Sequence, residues 1–124
     1  RKFFIAENIK IALRLNVDGI YIPSFNKSFE TKYINKKKLE VLGSAHNFKE
    51  LSFKIRQDID KIFISPIFEI KKKNSFLNVI KFNLLSKFSS VDTIALGGIN
   101  KKNINKLKMV NCVGFAAIRY FKNE

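Results

Sequence analysis

Residues 95–100 read Ala95-Leu96-Gly97-Gly98-Ile99-Asn100, a short apolar run that ends in two glycines and a polar residue. The run predicts a buried strand, and Asn100 is a side chain that can begin a helix. Glycines let backbone N–H groups approach an anion, and a helix N-terminus adds a favourable field worth about 0.3 to 1 kcal/mol. The stretch predicts either a phosphate site at Gly97 and Gly98 or a tight turn that needs positive φ.

The same alternation of short apolar runs with helical spacing extends along the whole chain. It predicts strands at residues 2–6, 19–22, 39–44, 61–67, 93–96 and 114–118. The apolar runs barely alternate, as expected where helices cover one face of a sheet and barrel side chains fill the other. Repeated βαβ units predict an α/β fold with a parallel sheet, here part of a (β/α)8 TIM barrel.

Segments with helical spacing lie between the strands. Three apolar faces are predicted to pack on the core: Ile9, Ala12, Leu13 and Val17; Phe48, Leu51, Ile55 and Ile59; Leu77, Ile80 and Leu84, with Ile104 and Leu107 continuing the pattern. Asn47 with Glu50 three residues later resembles a capping box, and later helices are expected to begin near residues 74–75 and 100. Residues 26–38 predict only a short or irregular crossover.

The chain is short for this architecture. It has 124 residues, whereas a complete barrel usually needs about 250, or at least roughly 200. It begins at Arg1, and a strand is predicted from Lys2 onward. We therefore expect one partial-barrel domain over residues 1–124, which contains the last six βα units. An exposed sheet edge would favour a homo-oligomer that covers it.

Composition limits the partners. A hydrophobic fraction of 46% can supply a core, and no apolar run reaches the ~20 residues of a membrane span. No signal-peptide pattern is found, so a cytoplasmic location is the default expectation. The net charge of +14 would attract nucleic acid, anionic membrane or phosphorylated substrates. The lysines are dispersed and no aromatic-basic recognition motif accompanies them, so we favour phosphorylated small molecules over nucleic acid or membrane.

Four further positions could carry chemistry, and three of them have an ordinary structural alternative. His46, the only histidine, follows a predicted strand and could transfer a proton, or it could be a solvated loop residue. Glu7 could bind Mg²⁺ or favour the start of the next helix. The lysines of residues 71–73 could bind phosphate, although a charge run is usually solvated surface. Arg119, at the end of the last predicted strand, is placed to add a cation to the phosphate site.

Six motifs, in order and at matching spacing, resemble the thiamine phosphate synthase and thiazole tautomerase (TenI-like) family. They are Phe4-Ile5-Ala6-Glu7-Asn8, Asp18-Gly19-Ile20-Tyr21-Ile22, Gly43-Ser44-Ala45-His46, Ser65-Pro66-Ile67-Phe68, Ala95-Leu96-Gly97-Gly98-Ile99 and Gly114-Phe115-Ala116-Ala117-Ile118. The resemblance spans nearly the whole chain. It implies two further βα units at the front of the barrel.

The resemblance also implies roles for individual residues. Family synthases join a hydroxymethylpyrimidine diphosphate to a thiazole phosphate and release pyrophosphate, with Mg²⁺ on the diphosphate. The resemblance places Glu7 and Asn26 at the metal positions, and Ser44 and Lys73 at the diphosphate. It places Gly97, Gly98, Ile118 and Arg119 around the thiazole phosphate. His46 matches the histidine that transfers a proton in the tautomerase branch.

Several departures from the family pattern accompany the matches. The asparagine before the first metal ligand is Ala6, and Asn26 replaces the second acidic ligand. The threonine-containing phosphate loop is replaced by residues 69–73, where only its lysine remains, best aligned at Lys73, and Arg119 replaces a serine. Three hypotheses follow: a divergent synthase-like transferase, a metal-independent thiazole tautomerase that uses His46, and a noncatalytic paralogue that binds a phosphorylated ligand. We favour an enzyme of the first kind.

Overall fold

Six parallel strands form a single sheet in the computed structural model, which describes residues 1–33, 38–70 and 75–117. The strands are β1 (Phe4–Ala6), β2 (Gly19–Ile22), β3 (Glu40–Ala45), β4 (Lys61–Ile64), β5 (Asp92–Leu96) and β6 (Gly114–Ala116). Each pairs with the next one in sequence, and all five pairings are parallel. This confirms the predicted α/β fold and agrees with part of a (β/α)8 barrel, where sequential order is the rule.

Helices follow the strands on one side of the sheet. They are α1 (Ile9–Arg14), α2 (Phe48–Arg56) and α3 (Asn78–Phe88), with short 3-10 helices at Glu30–Tyr33 and Ile104–Met109. The first 3-10 helix lies in the crossover after β2, so the prediction of a short or irregular crossover is correct for its described part. Side-chain oxygens of Asn8 and Asn47 cap α1 and α2 by accepting from the N–H groups of Ile11 and Glu50.

The core lies between the sheet and this helical layer. Its larger cluster joins strand residues such as Ile62, Ile64 and Ala95 to Leu51 of α2 and Phe82 of α3. A smaller cluster contains Ile20, Ile22, Val41 and Ile59, with Ile9 of α1 packed against it. Full burial of side chains of this size contributes about 1.5 to 3 kcal/mol each, so the two clusters stabilise the layer arrangement.

Alternation along the strands separates two faces. Ile20 and Ile22 are buried in the core cluster, whereas Tyr21 between them is half-buried and stacks edge-on against the ring of Phe63. Because the second face also carries polar side chains near the strand ends, it is the face that a barrel would enclose.

All three predicted helix faces need correction. In α2, Leu51 is buried but Phe48 is 48% exposed. In α1, Ala12 is fully buried but Leu13 is 51% exposed. In α3, Ile80 and Leu84 are exposed, and the buried side chains are Phe82, Leu85 and Ser86. The helix has apolar residues on every side, so several stripes fit its sequence equally well.

Three predicted element boundaries are also wrong. Helix α3 begins at Asn78 without a side-chain cap, rather than near residues 74–75. Asn100 begins a turn, and the 3-10 helix that follows starts only at Ile104. β4 ends at Ile64, because the chain crosses toward the end of β5, where Ile67 N–H donates to the Leu96 carbonyl at 3.0 Å.

Candidate active site

The carboxyl ends of all six strands lie along one edge of the sheet, because every pairing is parallel. Ala6 is in register with Tyr21, Ala45 with Ile64, and Leu96 with Ala116. The predicted site residues Glu7, Ser44, His46, Gly97 and Gly98 therefore occupy the edge at which α/β barrels place their active sites.

Glu7 and Asn26 are brought together at the first end of this edge. Glu7 has a left-handed backbone, with φ 61, and its N–H donates to the Tyr21 carbonyl at 2.9 Å. Asn26 Nδ2 donates to Glu7 Oε1 at 3.0 Å, while Asn26 Oδ1 accepts from the Ser28 N–H at 2.9 Å. Since a backbone N–H can only donate, the Ser28 contact fixes the amide with its nitrogen toward the Glu7 carboxylate.

This arrangement does not fit a magnesium site made by the protein alone. Mg²⁺ requires oxygen ligands in near-octahedral geometry, and here one carboxylate faces an amide nitrogen. Within the described ranges, no group of three or more His, Cys, Asp or Glu side chains could hold a metal ion. The expectation of Mg²⁺ at Glu7 and Asn26 stays a prediction, and it requires further oxygen ligands from a substrate phosphate.

A buried lysine contacts the loop that carries Asn26. Lys54 of α2 has no exposed surface, and its Nζ donates to the Asn26 carbonyl and to Gln57 Oε1, both at 2.7 Å. Burial lowers the pKa of Lys54 to about 8, against the opposing effect of the Glu50 and Glu7 charges. The ammonium is therefore largely protonated at neutral pH.

The burial of Lys54 could have been predicted from its position in the sequence, although a charged side chain is ordinarily assigned to the surface. Lys54 lies three residues after Leu51 and one before Ile55, within the predicted core face of α2. A lysine at such a position is seldom fully buried unless it finds polar partners. The partners come from the loop after β2, which sequence spacing does not place beside α2.

Ser44 is nearly buried, near the end of β3, and has a defined hydrogen bond. The Tyr21 hydroxyl donates to Ser44 Oγ at 2.8 Å. Because a serine hydroxyl has one proton of its own, Ser44 can still donate to an acceptor such as a phosphate oxygen. Tyr21 belongs to a quoted motif but was not predicted as a site residue.

His46 and Glu50 form a histidine–carboxylate pair beside Ser44. Glu50 Oε1 lies 2.8 Å from His46 Nδ1 and accepts from the His46 backbone N–H at 2.8 Å. The predicted capping box is thus half formed, since Asn47 caps α2 while the Glu50 side chain turns to His46. Partial burial tends to raise the pKa of Glu50, but the hydrogen bonds and charge of His46, with the charge of Lys54, hold it below its ordinary value.

Gly97 and Gly98 form the turn after β5, with φ of 100 and 73. A Cβ on Gly97 would lie 2.8 Å from Pro66 Cα, and one on Gly98 would lie 2.5 Å from the Phe68 carbonyl oxygen. The fold therefore has its own reason for both glycines. In the part of the chain that the structure describes, their carbonyls accept hydrogen bonds, whereas no acceptor is found for their N–H groups.

The remaining predicted site residues cannot be placed. Lys73, Ile118 and Arg119 lie outside the described residues, so their predicted contacts with phosphate stay predictions.

None of the helices in the described segments is both long and apolar enough to cross a membrane.

Comparison with known sequences identifies one family. A family model described as thiamine monophosphate synthase matches residues 1–121. Thiamine-phosphate synthases resemble the chain at 32% identity over 120 residues in Prochlorococcus marinus and at 30% over 112 residues in Helicobacter pylori. These alignments cover 94% and 86% of this chain, but only 34% and 52% of the two relatives, so the chain spans about half of such relatives or less.

Solved structures give the same result for the fold. Thiamine phosphate pyrophosphorylase from Pyrococcus furiosus superposes with a TM-score of 0.75 at 18% identity, over 94% of this chain and 56% of its own. A structure described as native KDPGal superposes with a TM-score of 0.62 at 14% identity, over 85% of this chain. At these identities the likeness concerns the fold alone.

Proposed function

Since the chain belongs to the thiamine monophosphate synthase family, we propose that its full-length protein acts in thiamine biosynthesis as a synthase-like transferase. It would join hydroxymethylpyrimidine diphosphate to thiazole phosphate and release pyrophosphate. The observation that carries the proposal is the family match over residues 1–121 together with the Ser44, His46 and Gly97 positions on one edge of the sheet.

The Ser44 hydroxyl is proposed to bind the diphosphate. Tyr21 already donates to its oxygen, so the proton of Ser44 is directed to an incoming acceptor. A hydrogen bond to a charged phosphate oxygen contributes about 1.5 to 3 kcal/mol. This contact orients the substrate and stabilises the charge that builds up on the leaving pyrophosphate. Lys73 is proposed to add a cation at the same group.

The N–H groups of Gly97 and Gly98 are proposed to bind the thiazole phosphate. They have no acceptor among the described residues, and the Gly97 carbonyl of the same turn accepts from the Phe68 N–H at 3.1 Å. A rigid pair of donors binds an anion with little loss of conformational freedom. Ile118 and Arg119 are proposed to complete this pocket from the end of the last strand.

The test is to supply the full-length protein with both substrates and Mg²⁺ and to assay thiamine phosphate by chromatography. Formation of product that depends on both substrates supports the proposal. If no product forms, calorimetry with the thiazole phosphate decides between no role at this site and a noncatalytic role. Tight binding without turnover would favour the paralogue that only binds its ligand.

A second function is supported by the His46–Glu50 pair. A carboxylate on Nδ1 fixes the ring and leaves Nε2 free to accept or donate a proton, as isomerisation of a thiazole phosphate requires. Changing His46 to Asn should then abolish isomerisation of the thiazole phosphate while its binding is retained. Isomerisation at an undiminished rate in that variant would exclude this function.

A further inference from the structure

Lys54 places a positive charge inside the protein beneath Glu7 and Asn26. The side chain is fully buried, and its Nζ reaches the loop after β2, where it donates to the carbonyl oxygen of Asn26 at 2.7 Å. Burial of an ammonium is costly unless polar groups replace its water. The second acceptor, Gln57 Oε1, also at 2.7 Å, supplies part of that replacement.

Gln57 fastens the same loop at further points. The Gln57 Nε2 donates to the backbone carbonyls of Asn26 at 3.0 Å and Ser28 at 2.6 Å. The backbone carbonyl of Gln57 accepts from the Thr31 hydroxyl. Every buried side-chain nitrogen and oxygen in the described residues has a hydrogen-bond partner. The side chains of Lys54 and Gln57, at the end of α2, therefore attach the loop after β2 to this helix.

Asn26 connects the buried cation to the carboxylate of Glu7. Its backbone carbonyl accepts from Lys54, and its side-chain Nδ2 donates to Glu7 Oε1 at 3.0 Å. We call Glu7, Asn26, Lys54 and Gln57 the Glu7 corner. Its formal charges are one carboxylate and one ammonium, so the corner is neutral before any ion binds.

We propose that the Lys54 ammonium is the resident cation of the Glu7 corner. It compensates the charge of the Glu7 carboxylate, which a divalent metal ion would otherwise compensate. This inference concerns the protein without substrate and does not depend on which reaction the protein catalyses. The Asn26 amide presents its nitrogen to Glu7, and the nearby ammonium repels a second cation.

Electrostatics makes the expected effect measurable. The interaction between two charges decreases only inversely with the distance between them. A divalent ion at Glu7 would experience twice the repulsion from Lys54 that a monovalent ion at the same place would experience. Removal of the ammonium should therefore strengthen divalent-cation binding by about tenfold or more, once a second carboxylate is present.

The experiment measures binding of Mn²⁺ alone, as a probe for Mg²⁺, by electron paramagnetic resonance of the free ion at neutral pH. The full-length protein is compared with its Glu7→Gln, Asn26→Asp and Asn26→Asp/Lys54→Met variants. Lys49→Met, an exposed lysine on α2, is the matched control in the Asn26→Asp background. We expect no Glu7-dependent binding in the wild type, and binding about tenfold tighter in the double variant than in Asn26→Asp alone.

Two results would overturn the proposal. The first is saturable Mn²⁺ binding by the wild type that the Glu7→Gln variant loses. The second is equal Mn²⁺ affinity, measurable or not, in Asn26→Asp and in Asn26→Asp/Lys54→Met. The comparison of wild type with Glu7→Gln leaves Lys54 intact, so it remains decisive if substitution of the buried lysine prevents folding. Circular dichroism of each variant establishes which comparisons apply.

Discussion

Gly98 lies where two backbone constraints coincide. Its φ of 73 is in the left-handed region, and a Cβ there would lie 2.5 Å from the Phe68 carbonyl oxygen and 2.6 Å from that of Glu69. Both groups are backbone, so neither can rotate away. Gly114 in β6 differs, because a Cβ added to it would meet no atom of the described structure within 4 Å.

Changing Gly98 to Ala should therefore lower the free energy of unfolding by about 3 kcal/mol, from backbone strain and overlap combined. Changing Gly114 to Ala should leave it within about 1 kcal/mol of the wild type. Urea denaturation of the two variants checks the difference. Equal stability of the two would show that the turn after β5 is not packed as described.

Lys54 predicts a pH dependence of stability. Burial lowers the pKa of Lys54 from 10.5 to about 8, so between these values the unfolded chain binds more protons than the folded one. The contribution of Lys54 to stability therefore rises with pH across that window, and below about pH 8 the folded protein bears the full cost of the buried charge.

Changing Lys54 to Met should remove this rise, whereas changing Lys49 to Met should retain it. Urea denaturation at several pH values across the window provides the measurement. An unchanged slope in the Lys54 variant would mean that the ammonium is better solvated than its burial indicates.

Some of the individual site residues could be predicted from the sequence, and others could not. Glu7 and His46 were predicted because each follows or ends a short apolar run, and parallel strands end at one edge, whereas Ser44 was predicted from the family resemblance. Tyr21 and Lys54 were missed, since their roles depend on neighbours at separations of 23 and 28 residues. Such contacts are known only once the strand register and loop path are known.

Helix α2 shows how one element positions several site groups. Asn47 caps its first turn through the Glu50 N–H at 2.9 Å, and the Glu50 side chain holds His46. Further along the helix, Lys54 and Gln57 fix the loop after β2. The cap, the histidine pair and the Glu7 corner are therefore all attached to a single helix.

Changing Asn47 to Ala should lower the free energy of unfolding by about 1 kcal/mol, because the Glu50 N–H loses its acceptor. Ser52→Ala, at an exposed position of the same helix, serves as the control and should have little effect. Thermal denaturation of both variants makes the comparison. If the two variants melt together, the Asn47 cap contributes nothing to stability.

Elements were predictable to the extent that their periodicity was unambiguous. All six strands were located, and α2 was predicted with Leu51 correctly buried. Phe48 on the same predicted face is exposed, and Ile59 is buried but lies beyond the end of the helix. Helix α3 was found but its buried face was not, because Val79, Phe82 and Leu85 compete with Ile80 and Leu84 for the core. Packing against β4 and β5 selects among these stripes, and a helix sequence alone does not contain that information.

The chain as a whole combines a net charge of +14 with a parallel sheet, along one edge of which lie the residues proposed to bind phosphate. The fold and the family were predictable because six motifs recur in the right order, a signal distributed over most of the chain. The chemistry was less predictable, since Asn26 and residues 69–73 depart from the pattern at the positions that would bind metal and diphosphate. Ser44 and the glycine turn match the family pattern, and they are the residues on which the proposal of phosphate binding rests.

The most direct test of the account is kcat/KM for thiamine phosphate formation by the full-length protein and its Ser44→Ala and Tyr21→Phe variants. Loss of the Ser44 donor should reduce kcat/KM by about 10- to 100-fold, and loss of the Tyr21 hydroxyl should reduce it by about tenfold or less. Ser52→Ala should match the wild type. The absence of product from the wild type, or full activity without the Ser44 hydroxyl, would contradict the account.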